Sequence, residues 1–135
     1  MALEPENNMC FACSEKNPIG LKLKFRREGN EVKANFLVTP EHQGWPGYLH
    51  GGLVATICDE AMAQWMWLRG LEANTGELSV RFKHGIPVGT VVEVKAALTK
   101  SRGRLMILEA SVLFPDGREA AVASGKFIRS DGEVE

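Results

Sequence analysis

The sequence predicts an α+β domain in which one long helix covers a face of an antiparallel sheet of about six strands. Two observations carry this. Runs that alternate apolar and polar residues with a period of two stand both before and after residues 48–67, the mark of half-buried strands. Residues 48–67 themselves, YLHGGLVATICDEAMAQWMW, are apolar over most of their length, and a helix apolar nearly all round is a buried one. A sheet with one apolar face needs a covering layer, and this segment is the candidate for it.

The elements follow in order. Leu21, Leu23 and Phe25 alternate with Lys22, Lys24 and Arg26, and Val32, Ala34, Phe36 and Val38 alternate again. Gly29-Asn30 between them suits a two-residue hairpin turn. TPEHQGWPGYLHGG contains Pro40, Gly44, Pro46 and Gly47 and reads as a loop. The helix then runs towards Gly70, a suitable C-terminal glycine. Four strand-like runs come after it. The first passes through Leu78, Val80 and Phe82, and the second is the valine-rich stretch 88–102. The third begins after a tight Arg102-Gly103 turn, and the last is REAAVASGKFI, behind the strong turn signal PDG at 115–117. With no internal repeat or linker, residues 1–135 read as one domain, residues 1–16 being an N-terminal extension with a C-x-x-C.

Bulk properties exclude several classes. The 135 residues are the size of one domain, and an apolar share of 44% is enough for a core. A formal net charge of −1 argues against a nucleic-acid binder, which needs a basic excess. No uncharged apolar run is long enough to span a membrane. MALEPENNMC lacks the basic and apolar blocks of a signal peptide. Three cysteines do not make a disulfide framework. The expectation is a cytoplasmic protein.

Two features of the helical segment point to chemistry. Gly51 and Gly52 stand where loop becomes helix. The first amides of a helix lack internal partners and lie at the positive end of the dipole, and glycine lets a ligand approach them closely. The pair therefore reads as an oxyanion site, although glycines also serve plain tight turns. The second feature is Asp59-Glu60. Residues three and four apart share a helix face, so Asp59 lies in a stripe with Ala55, Met62, Ala63 and Met66 and points into an apolar wall. Glu60 lies with Thr56, Gln64 and Trp67, towards solvent or a polar seam. A buried carboxylate has a raised pKa and is a candidate nucleophile or general base; it can equally serve as a structural cap. Eight residues of helix put Asp59 roughly 12 Å beyond Gly51, too far to act on a carbonyl held at the Gly51 amide. If both serve one reaction, they come from different chains, which predicts a homodimer.

HGG followed by Asp59, nine residues after His50, resembles the hotdog-fold acyl-CoA thioesterases, and most closely their phenylacetyl-CoA thioesterase-like branch. CFACSEKNPIGLKLKF resembles the opening of part of that branch, and GRLMILEASVLFPDGREAAVASGKF its last hairpin. The resemblance implies a hotdog fold, a long helix wrapped by a curved antiparallel sheet. It also implies edge-to-edge assembly into a dimer or tetramer and hydrolysis of an acyl-CoA to free acid and CoA without a cofactor or metal. On this resemblance Asp59 is the catalytic carboxylate, as nucleophile or base. The Gly51 amide polarises the thioester carbonyl, and His50 orients the substrate or the loop. Thr75 holds the attacking water. Gln43 hydrogen-bonds the thioester side.

Other residues are candidates for substrate binding. Arg102 and Arg104 in KSRGR, with Arg81 facing outward on a neighbouring strand, suit the phosphates of CoA; solvated turns have the same composition. Trp45, next to the glycines, is a candidate for the acyl pocket together with Gly52. Trp65, Trp67, Met62 and Met66 are of a kind more often found in cores. Cys10 and Cys13 form a C-x-x-C with no second pair, and a zinc site wants four ligands. His42 or His50 could add one, but reduced thiols with a packing role are the favoured reading. Cys58 reads as an inert core thiol. Two alternatives to a thioesterase use the same fold. One is a non-catalytic module that binds acyl-CoA or a related small ligand. The other is a hydratase, whose Asp-His pair near an Asn-Pro has no good match here, since Asn17-Pro18 lies far from the helix and Glu41-His42 is the nearest pair.

Overall fold

A computed structural model describes residues 8–130. The elements are β1 (Arg26–Glu28), β2 (Glu31–Leu37), a 3-10 turn (Pro40–His42), α1 (Gly51–Trp67), β3 (Ala73–Phe82), β4 (Val91–Arg102), β5 (Leu105–Leu113) and β6 (Glu119–Arg129). All strand pairs are antiparallel, in the order β1-β2-β4-β5-β6-β3. α1 packs against β2 to β6. This is the hotdog architecture expected above.

Alternation decides which side chains meet the helix. Val32, Ala34 and Phe36 of β2 lie opposite Ala96, Val94 and Val92 of β4. All six are buried, with Met106, Leu108, Ala110 and Val112 of β5 continuing the layer. Val54, Ile57, Cys58, Ala61, Met62, Trp65 and Met66 of α1 close the core from above. Met62 of the helix sits over Gly125 of β6, where an added Cβ would stand 3.1 Å from the Met62 sulfur. α1 is buried on this face and not all round as expected. Ala55, Thr56, Asp59, Glu60, Ala63 and Gln64 are half-buried, and Trp67 is exposed.

Two boundaries differ from expectation. The run Leu21–Phe25 is not the first strand. Leu21 and Leu23 are buried, but their amides bond the carbonyls of Phe11 and Ala12 at 2.8 and 2.9 Å. An alternating pattern reports a half-buried extended chain and not which chain it pairs with. The N-terminal segment from Asn8 onward thus shares the main core through Ala12, while residues 1–7 of the expected extension lie outside the described residues. The β4–β5 turn is Gly103-Arg104, one residue later than expected. The Gly29-Asn30 and PDG turns stand where expected, and the chain leaves α1 through Gly70 at φ 77°. No helix among the described residues is long and apolar enough to cross a membrane.

Candidate active site

The helix N-terminus is built by a tightly tied loop. His50 is the N-cap, and its Nδ1 accepts the Gly52 amide at 2.8 Å. In a neutral ring the hydrogen therefore sits on Nε2. This bond explains Gly52, since a Cβ there would stand 3.0 Å from the His50 ring. The same bond engages the Gly52 amide within the cap. No protein acceptor for the Gly51 amide is found among the described residues. A Cβ at Gly51 would make only ordinary contact with Phe82, at 3.5 Å.

Gln43 is spent on the same loop. Its Nε2 donates to the Pro40 carbonyl at 2.8 Å and its Oε1 accepts the Gly47 amide. Gln43, Trp45, His50, Gly51 and Gly52 line one cleft of about 500 Å³. A neighbouring cleft of about 660 Å³ is lined by Trp45, Tyr48, Gly51, Val54, Phe82 and Ile86. Trp45 is 83% exposed and borders both. Phe82 and Tyr48 are site neighbours that sequence reasoning missed; position on a strand does not show which helix end the strand reaches.

Asp59 does not point into an apolar wall. It is half-buried, and the Thr75 hydroxyl donates to its Oδ1 at 2.9 Å. Burial pushes its carboxyl above the ordinary value, and the Thr75 bond partly opposes this. Thr75 lies on β3, an edge strand that among the described residues is bonded to β6 alone. The ladder slips at this point, between Thr75 and Glu77, and a bulge of this kind re-aims a side chain. Neighbours on the same helix are apolar, but β3, packed beside it, brings the Thr75 hydroxyl to Asp59.

Glu60 occupies the polar seam, and the seam is more crowded than the sequence suggested. Gln64 Nε2 donates to its Oε2 at 2.9 Å, and the Cys10 sulfur lies 3.9 Å from its Oε1. Burial raises its carboxyl as well. Cys13 is pushed far up by burial and by the Glu60 charge. Cys58 is fully buried and pushed up to about 12 by burial, the inert thiol expected. His42 and His50 are not beside Cys10 and Cys13. His42 Nδ1 accepts the Thr39 amide at 3.0 Å, and His50 caps α1. Met62, Met66 and Trp65 are core residues, the Trp65 indole donating to the Asn30 carbonyl at 2.7 Å.

The arginines are spread out. Arg102 ends β4, Arg104 lies in the β4–β5 turn, and both are exposed; Arg104 Nε donates to the Arg129 carbonyl at 3.1 Å. Arg129 pairs with Ala73 at the start of β3, so this turn lies at the Asp59 end of the sheet. Arg81 is exposed nearer the other end of β3, beside Ser79, Glu109 and Glu119 over a shallow depression on the sheet. The three do not form one cluster.

A helix N-terminus whose Gly51 amide has no acceptor among the described residues, a cleft beside it and a helix carboxylate tied to an edge strand stand together on a hotdog frame. The thioesterase superfamily model matches residues 46–121, more than half of the chain, and the chain belongs to that family. It is 36% identical over 95 residues to acyl-coenzyme A thioesterase THEM4 of Bos taurus, covering 70% of this chain and 39% of that protein. The chain thus spans about two fifths of the length of the curated relative it matches. Among solved structures, a hypothetical thioesterase protein with coenzyme A from Streptococcus pneumoniae superposes with a TM-score of 0.75 at 16% identity, covering 80% of this chain and 88% of that one. The PaaI protein from the phenylacetic acid degradation operon of E. coli gives 0.76 at 18% identity, covering 83% and 82%.

Proposed function

We propose that this chain is an acyl-CoA thioesterase that works as a homodimer, each site taking Asp59 and Thr75 from one subunit and the Gly51 amide from the other. The observation that carries this is the bond between Asp59 and Thr75. It fixes the carboxylate at the free edge of the sheet, while the free amide lies roughly 12 Å back along the same helix.

The free edge supports the second subunit. β3 is ten residues long and mostly exposed, with Phe82 57% exposed at its end. An exposed edge of that length is a ready template for pairing. Two-fold antiparallel pairing about the middle of β3 sets Ala73 opposite the partner's Phe82. Phe82 lies beside Gly51 of its own chain. Such pairing therefore brings Asp59 and Thr75 of one subunit towards the Gly51 end of the other.

In this site the Gly51 N–H stabilises the negative charge that develops on the thioester oxygen. Asp59 either takes a proton from a water that attacks the carbonyl, or attacks the carbonyl itself to give a mixed anhydride that water then hydrolyses, and the Thr75 hydroxyl orients it. The CoA thiolate leaves and takes up a proton. His50 shapes the loop and presents Nε2–H, with Gln43 holding the loop as a positioning residue. Trp45 and Phe82 offer an apolar wall for the acyl group, and Arg102 and Arg104 meet the phosphates of CoA.

Complementation of two inactive variants tests the cross-subunit site. Gly51→Pro deletes the amide hydrogen at the first helical position, where proline is well tolerated. His50 already has the extended backbone that a following proline requires (φ −61°, ψ 133°). Asp59→Asn deletes the carboxylate. Each variant alone should hydrolyse acyl-CoA at least about a hundredfold more slowly than wild type. Subunits of the two, unfolded and refolded together, should recover about a quarter of wild-type activity, because half the dimers are mixed and each holds one intact site. No recovery in dimers shown to have mixed would place the whole site within one chain. A wild type that binds acyl-CoA without turnover would make the protein a binding module instead.

A further inference from the structure

We infer that Cys10, Cys13 and Glu60 form a divalent-metal site, suited to zinc, that ties the N-terminal segment to the middle of α1. One ligand atom from each of the three residues lies within 4.8 Å of the other two. The donors come from segments fifty residues apart, so the fold and not the local sequence assembles them.

The donor set decides the class of ion. Two thiols and a carboxylate are a soft-to-borderline set that suits zinc; magnesium and calcium take oxygen ligands. Catalytic-type zinc sites commonly have three protein ligands and a fourth position for water. Cys10 and Glu60 also line a cleft of about 280 Å³, ample for a water, which occupies about 30 Å³ of liquid.

The surroundings hold the donors in place. Gln64 binds Glu60 Oε2 at 2.9 Å and leaves Oε1 turned to Cys10, the kind of outer bond that orients a metal ligand. Asn8 Oδ1 accepts the Cys10 amide at 2.9 Å, the Ser14 amide bonds the Cys10 carbonyl at 3.0 Å, and the Ser14 hydroxyl bonds the Asn8 carbonyl at 2.7 Å. These bonds shape the C-x-x-C turn before any ion arrives. Binding releases one proton from each thiol to solvent, and M²⁺ with two thiolates and one carboxylate leaves a net charge of −1. A disulfide exchange centre would use the same two sulfurs but not Glu60. An anion beside the pair works against the thiolates that exchange needs, whereas a dication offsets two of the three negative charges.

The test uses the full chain, reduced and stripped with a chelator, then titrated with Zn²⁺ against a chromophoric competitor. The expected result is one equivalent per chain, with a higher melting temperature on binding. Co²⁺ should give the near-ultraviolet sulfur-to-metal absorption of two thiolates. Cys10→Ser and Cys13→Ser should each lose that signal in part and the double variant entirely. Gln64→Ala, which leaves all donors in place, should weaken binding by about tenfold to a hundredfold. No uptake would overturn the proposal, as would uptake unchanged in the double cysteine variant. Binding indifferent to both Glu60→Gln and Gln64→Ala would mean that a plain dithiol holds the ion, and would equally overturn it.

Discussion

Asp59 and Glu60 are chain neighbours and both half-buried, yet they belong to different regions of the molecule. Consecutive residues of a helix point about 100° apart. That rotation turns Asp59 towards the edge strand β3 and Glu60 towards the N-terminal segment. Asp59 has one hydroxyl as partner, from Thr75, and faces an unpaired strand edge. Glu60 has Gln64 and the two sulfurs and is closed in by its own chain. One carboxylate thus lies at an edge of the sheet, and the other is enclosed by side chains of its own chain. Burial raises both, so a raised pKa alone does not separate a reactive group from a structural one; their partners do.

The contrast is broken most directly at Asp59. Asn keeps the shape and still accepts the Thr75 hydroxyl, but it cannot act as nucleophile or base. Hydrolysis of an acyl-CoA by Asp59→Asn should fall by roughly two to four orders of magnitude. Folding should not suffer. An acid whose folded pKa is raised is destabilising above its unfolded pKa, where the charge is forced into a half-buried place, so at neutral pH removing it leaves the melting temperature unchanged or higher. Near-normal turnover by this variant, measured with a thiol reagent for released CoA, would mean that the open carboxylate is not the reactive one.

Thr75 comes next. Thr75→Ala removes the bond that holds Asp59 at the edge. A hydrogen bond to a charged group contributes about 1.5–3 kcal/mol when well formed, and exposure of Thr75 argues for the lower end, so turnover should fall about tenfold. Thr75→Ser should recover most of it. Failure of serine to rescue would mean that the methyl group, and not the hydroxyl, matters at this position.

How much of this was legible beforehand differs between the two regions. The helix, its glycine start and the later strands follow from period and turn chemistry, which are local. Spacing brought out the candidate pair Gly51 and Asp59 and, if both serve one reaction, the expectation of a second chain. The surroundings of Glu60 were not legible, because they depend on where residues 8–14 fold back, a contact across fifty residues that no periodicity reports. Leu21–Phe25 failed for the same reason: the alternating pattern was real, and its hydrogen-bonding partner was elsewhere. The engaged amide of Gly52 was hidden too, since a glycine pair does not reveal which N–H a neighbouring histidine takes.

The arginines sharpen the contrast at a distance. Arg102 and Arg104 lie at the Asp59 end of the sheet, so an active site there has them within reach of a long substrate. Changing both to alanine should raise KM for acyl-CoA about three- to tenfold with little change in kcat, as remote and exposed charge contacts act on binding uniformly. A short thioester lacking the nucleotide should be indifferent to the change. Equal loss on both substrates would show that the turn supports the fold and not CoA.

The smallest effect is expected at Gly52, and it bears on how many amides the site uses. A methyl group there would press on the His50 ring at 3.0 Å. The ring must give by a few tenths of an ångström, which loosens the cap. A lost cap costs about 0.5–2 kcal/mol, while alanine gains up to about 1 kcal/mol over glycine in helix propensity. The two nearly cancel, so the melting temperature of Gly52→Ala should move little. Turnover should fall about two- to fivefold, the loss of a roughly 0.5–1 kcal/mol restraint on His50. Gly51→Pro, by contrast, removes the amide that has no partner among the described residues and should cost at least about a hundredfold. If Gly52→Ala proved as damaging as Gly51→Pro, His50 would have to release the second amide during the reaction, and both helix amides would be meeting the substrate.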